Sequence, residues 1–251
     1  MPARRLWAGP MVFGMVLAAV LSLTAAPAMA QSISLDLGEG GSLTATSLQL
    51  IALITLLSLA PGIAIMVTCF PFIVTVLAIL RQAIGLQQSP PNMLLVSLAL
   101  FLTYYVMEPV FRDAWALGIS PYLNEALPIE EAFEAAVGPF RMFMAGRIDP
   151  ETFHALADLR PDAVGQPLSP EAPLSVLVPS FMLSEIARAF QVGFLIYLPF
   201  LIIDLVVAAV LMSMGMMMVP PTIVALPFKL AFFVIADGWA LVAGSIVRGY
   251  M

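Results

Sequence analysis

The chain has 251 residues, 61% of them hydrophobic and only 10% charged, with a mean hydropathy of +1.02. An average soluble domain carries about 25% charged residues, so this is the composition of a membrane protein and not of an ordinary soluble globule. The formal net charge of −6 excludes nucleic acid as a partner, since that would call for a basic face. Cys69 is the single cysteine, which excludes an intrachain disulfide or a cysteine-built metal site.

The first thirty residues read as a removable address. Arg4 and Arg5 form a positive start, residues 11–23 an apolar stretch, and Ala28-Met29-Ala30 a cleavage signal. The alternative is an uncleaved first membrane helix. Cleavage is favoured because the apolar stretch is short and is interrupted by Gly14 and Pro27. Residues 31–47 would then be an N-terminal periplasmic segment. Residues 40–80 contain no Asp, Glu, Lys or Arg. The apolar part, 48–80, would extend about 50 Å as helix, against about 30 Å of bilayer core. With Pro61-Gly62 and Pro71 inside it, a kinked helix or two stacked pieces is expected. "RQAIGLQQSPPN", with Pro90 and Pro91, breaks the chain before a second apolar helix over 93–110, completing a first hairpin at 48–111.

Residues 112–178 change character. They hold ten acids (Asp113, Glu125, Glu130, Glu131, Glu134, Asp149, Glu151, Asp158, Asp162 and Glu171) against Arg112, Arg141, Arg147 and Arg160. "PIEEAFEAAVGPFRMFMAG" has the pattern of a short amphipathic helix, and "DPETFHALADL" that of another with Pro150 at its start. A proline-rich link follows. This is a small helical insert outside the membrane. A second hairpin, 179–251, is expected to contain a helix over 181–218, interrupted by Pro199, and another over 221–250. The fold class is all-α: four long, proline-kinked apolar helices in two hairpins, with one helical extracytoplasmic insert.

No catalytic constellation stands out. His154 is the only histidine, and its place on an insert helix suits a solvated side chain. Nucleotide-binding glycine loops, HExxH and GxSxG are absent, so neither an enzyme nor a cofactor is expected. The unusual residues are charges within apolar helices. Asp204 lies in "YLPFLIIDLVVAAV", where a lone carboxylate costs about 2.5–3.5 kcal/mol on the insertion scale. Lys229 and Asp237 are eight residues apart, near one face of a continuous helix, and Glu185 and Arg188 are neighbours at i, i+3. These five could form a proton or ion pathway, or could pair to hold helices or subunits in register. Pairing is favoured, because one lysine among two aspartates suits a lock and the surroundings are apolar. An ion-coupled transporter subunit is the competing functional class.

"SMGMMMVPP", residues 213–221, places Met214, Met216, Met217 and Met218 at a helix end and stops the helix with Pro220 and Pro221. Methionine fills irregular gaps, so core packing is one reading. The terminal placement supports another, a collar of thioethers around an axis, which would need a ring of identical chains.

The stretches "LRQAIGLQQSPPN", "LALFLTYYVMEPV", "SEIARAFQVGFLIYLPFLIIDLVVAAVLMSMGMMMVPP" and "ALPFKLAFFVIADGWALVAGS" together resemble the FliP family of flagellar type III export-gate proteins, whose counterpart in virulence injectisomes is SctR. The resemblance implies a core subunit of a protein secretion channel. It would be present in five copies with FliQ and FliR in a helical, cone-shaped complex, in contact with FlhB and FlhA, with membrane lipid and with exported flagellar polypeptides. It also implies an inner-membrane location at the flagellar basal body, with N-terminus and insert on the periplasmic side. The methionine loop would be the pore gasket. One departure is Pro71-Phe72, where many relatives carry Thr-Arg.

N-terminal sequencing of the protein purified from membranes is expected to read from Gln31. A chain beginning at Met1 or Pro2 would overturn the cleavage and reopen the topology.

Overall fold

The computed structural model describes residues 43–86, 89–216 and 218–250. The expected leader, the segment 31–42 and Met217 lie outside the described residues. The chain divides into two units, Met1–Ile54 and Thr55–Met251. Among the described residues every regular element is helical. Three helical stretches, Ser47–Met66, Asn92–Leu123 and Leu174–Ser213, are long and apolar enough to cross a membrane, and a bent pair near the end brings the number to as many as four.

Helix α1, Leu43–Met66, runs through Pro61. The long apolar stretch breaks at residues 67–69, just ahead of Pro71, which stands in the first turn of α2, Phe70–Ile84. There its missing N–H costs nothing, whereas inside a continuous helix it would leave a carbonyl without its donor. Thr68 tidies the break: its hydroxyl donates to the Ile65 carbonyl at 2.9 Å and accepts the Phe70 N–H at 3.4 Å.

Ile73, Val76, Leu77, Leu80, Ala83 and Ile84 are all buried, the i, i+3, i+4, i+7 repeat of a helix turned toward a core. Helix α2 is therefore the hub. Its neighbours are α3, Asn92–Ala114, and α7, Leu174–Ser213. Helix α7 has 40 residues, about 60 Å, and runs parallel to α2. Contacts in the same order along both helices show this. Tyr250 bridges Phe72 to Glu185, Ile79 meets Gly193, and Lys229 bridges Ala83 to Asp204.

The second apolar helix does not stop near residue 110. It continues from α3 through a π-helical turn, Trp115–Ile119, into a last turn α4, Ser120–Leu123. Helices α5, Ile129–Ala145, and α6, Pro150–Ala157, complete the insert. The Asp149 carboxylate caps α6, accepting the Thr152 N–H at 2.9 Å, and that bond holds the carboxyl below its ordinary range. Arg141 donates to the carbonyls of Pro170 and Ala172 at 3.0 and 2.9 Å, fastening the proline-rich link to α5. Met144, Ile148, Phe153 and Ala157 of the insert bury themselves with Val176, Leu177 and Phe181 of α7. One helix thus carries both cores, the insert at its start and α2 along its middle.

The helix expected over 221–250 is two, α8, Pro221–Ile235, and α9, Gly238–Arg248, bent by 61°. No proline marks the bend. Asp237 adopts the left-handed conformation (φ 49°), and the bare Cα of Gly238 lies against the Phe233 ring, which stacks edge-on with Trp239 at 5.4 Å.

Gly118, in the π-helical turn, lies directly against α5. A β-carbon there would overlap the Ala132 carbonyl and the Ala136 side chain. Gly118→Ala is expected to displace α5 at a cost of about 1–3 kcal/mol, read as faster limited proteolysis between residues 124 and 129. An unchanged digestion pattern would show that the turn relaxes freely.

Candidate functional site

The loop between α7 and α8 is shaped by its glycine. Gly215 sits at φ 75°; its N–H donates to the Met212 carbonyl and that of Met216 to the Leu211 carbonyl, both at 3.0 Å. This paired closure ends a helix only where the residue after the cap accepts positive φ. Pro220 and Pro221 then start α8, Pro221 at a position where no N–H is needed. Between these stops the chain is bare: Met214, Met216 and Met218 are exposed, Met218 at 97%. The flanks are apolar and exposed too, through Leu205, Val206 and Val210 on α7 and Ile223 on α8. Soft, uncharged thioether side chains at a hairpin tip offer no group for acid–base or nucleophilic work. They offer deformable contact.

Beneath the tip lies the first buried ion pair. Lys229, 5% exposed, places Nζ 2.6 Å from Asp204 Oδ2 and 3.0 Å from the Ala83 carbonyl. The ammonium thus ties α8 to α7 and to the last turn of α2. Asp204 Oδ1 is buried with no hydrogen-bond partner among the described residues. Asp237 is not part of this arrangement. It is exposed at the α8–α9 bend, because the helix that would have brought it onto the Lys229 face ends at Ile235.

About 28 Å earlier along α7, at 1.5 Å per residue, lies the second network. Glu185 is completely buried. Its Oε1 accepts Arg147 Nε at 3.1 Å and Arg188 Nη1 at 3.2 Å, and its Oε2 accepts the Tyr250 hydroxyl. Burial first, then the Glu185 charge, raises the Tyr250 hydroxyl well above its ordinary pKa, so it remains a donor. Sequence spacing finds Arg188. It does not find Arg147 or Tyr250, which come from 38 residues before and 65 residues after Glu185. Neither carries a local signal beyond being polar just past the end of a helix.

At the other proline pair, Pro91 precedes α3 and the Pro90 carbonyl accepts Arg81 Nη1 at 3.4 Å. Arg81 also bonds Asn92, so the α2–α3 loop is tied to the helix it leaves.

A model of the FliP family matches residues 53–246. The flagellar biosynthetic protein FliP of Caulobacter vibrioides is 53% identical over 238 residues, covering 94% of this chain and 89% of that protein. That of Agrobacterium fabrum is 44% identical over 245 residues, covering 96% and 100%. The Aquifex aeolicus protein is 44% identical over 221 residues, covering 87% and 91%.

Removing one partner of a buried pair strands the other charge, at about 3–5 kcal/mol. Lys229→Ala is therefore expected to lower the amount of folded protein recovered from membranes, and adding Asp204→Ala to restore part of it. A loss in the double variant equal to the sum of the losses from Lys229→Ala and Asp204→Ala alone would show that the pair is not coupled.

Proposed function

The chain belongs to the FliP family, and from that premise we propose that it is a core subunit of the flagellar protein export gate. Copies of it, expected to number five, assemble with FliQ and FliR around a channel for unfolded flagellar polypeptides. FlhA and FlhB are neighbours of that assembly, which sits at the inner membrane of the basal body with the insert on the periplasmic side.

The observation that carries this reading is the methionine tip. A lone chain gains nothing by holding Met214, Met216 and Met218 out of its own core between a glycine-closed helix end and two prolines. In a ring, the same tips converge on an axis. Each side chain has three rotatable bonds and no charge, so a collar of them closes against ions at rest and yields to many passing sequences. The exposed apolar faces of α3 (Leu94, Phe101) and α7 (Phe194, Ile202) supply surface for neighbouring copies, partner subunits and lipid. The paired charges support the assignment in a second way. Asp204–Lys229 and Glu185–Arg188 pair within the chain, which suits positioning of helices and leaves the conduit itself apolar.

Replacing Met216, Met217 and Met218 together by Ala is expected to leave assembly on a native gel unchanged and to make secreting cells leak ions or small solutes. Bulky Phe replacements are expected to slow export. A triple Ala variant that assembles, secretes and holds solutes like the parent would reduce these methionines to packing filler.

A further inference from the structure

The segment after α9 does something that a helix end does not need to do. Tyr250 turns back into the start of the bundle and makes four contacts there. Its hydroxyl bonds Glu185 Oε2; its ring lies 4.0 Å under the Arg147 guanidinium, meets Phe72 of α2 edge-on at 5.5 Å and stacks on Phe143 of α5 at 6.2 Å. The preceding residue joins in, the Gly249 carbonyl accepting Arg147 Nη1 at 2.9 Å. Arg147 lies in the turn that ends α5, and its own carbonyl accepts Arg188 Nη2 at 3.2 Å. Without Tyr250 and Gly249, the Arg147 side chain would keep only its bond to Glu185, and one Glu185 oxygen would be buried bare.

We infer that Gly249-Tyr250 is a latch: Tyr250 is a positioning residue that acts through Glu185 to hold Arg147, and with it the insert, against α2 and α7. The latch rests on the geometry around Glu185 and not on the export reading, so each stands or falls by its own experiment. When the latch opens, the turn holding Arg147 swings away and Ile148, buried in the insert core, meets solvent.

The test uses the full chain in membranes with Cys69→Ser and Ile148→Cys, the rate of labelling by a membrane-impermeant maleimide being the measure of latch opening. Tyr250→Phe keeps the ring and removes the one donor. It is expected to raise labelling about tenfold, the factor that corresponds to roughly 1.4 kcal/mol, at the lower edge of what a hydrogen bond to a charged group contributes. In a Glu185→Gln background the same change is expected to add much less, because the acceptor charge is already gone. Tyr250→Phe that labels like the parent, or raises labelling equally in both backgrounds, overturns the latch and leaves Tyr250 as ring packing. Should Tyr250→Phe fail to accumulate, recovery of the protein on adding Glu185→Gln supports the latch, and continued absence overturns it.

Discussion

A carboxylate sealed away from water must be surrounded by donors, and Glu185 draws its donors from three separate parts of the chain. Arg188 comes from its own helix, Arg147 from the insert and Tyr250 from the segment after α9. Desolvating the charge without them would cost several kcal/mol, so the elements carrying them are held where Glu185 needs them. The parallel course of α2 and α7, the seating of the insert on the first turns of α7 and the return of α9 all meet at this residue. The Lys229 bridge does the same at the other end of α2, with one cation serving a carboxylate and a carbonyl. Between the two lies a cluster of apolar packing, which is non-directional and fixes distance better than register.

Much of this was legible in the sequence, for physical reasons. The all-helical class followed from long uncharged stretches, and the insert from a sudden change in charge density. Its two helices could be placed because Pro150 and the amphipathic run after Pro128 are strong local signals. The bend at Asp237 carries no proline signal; its device is an Asp-Gly pair that takes a left-handed turn and packs a bare Cα on Phe233. A continuous helix would have put Asp237 on the Lys229 face, and the bend takes it off.

Charges were easier to find than their partners. Asp204 and Lys229 stand out because each is alone in an apolar run, and 25 residues separate them. Arg147 and Tyr250 look ordinary, since both lie where polar residues are common, and only the folded chain brings them together. Pairings set by tertiary contact leave no periodicity to read.

The α7–α8 hairpin is gripped at Asp204–Lys229 and α7 runs on to Ser213, so about nine residues of it, or roughly 14 Å, overhang the grip. Mechanically that is a clamped beam with a loaded end. The deflection of such a beam under a given force grows with the cube of its free length, so the site of the clamp sets the stiffness of the tip. Its compliance belongs as much to the lysine at its root as to the methionines at its end.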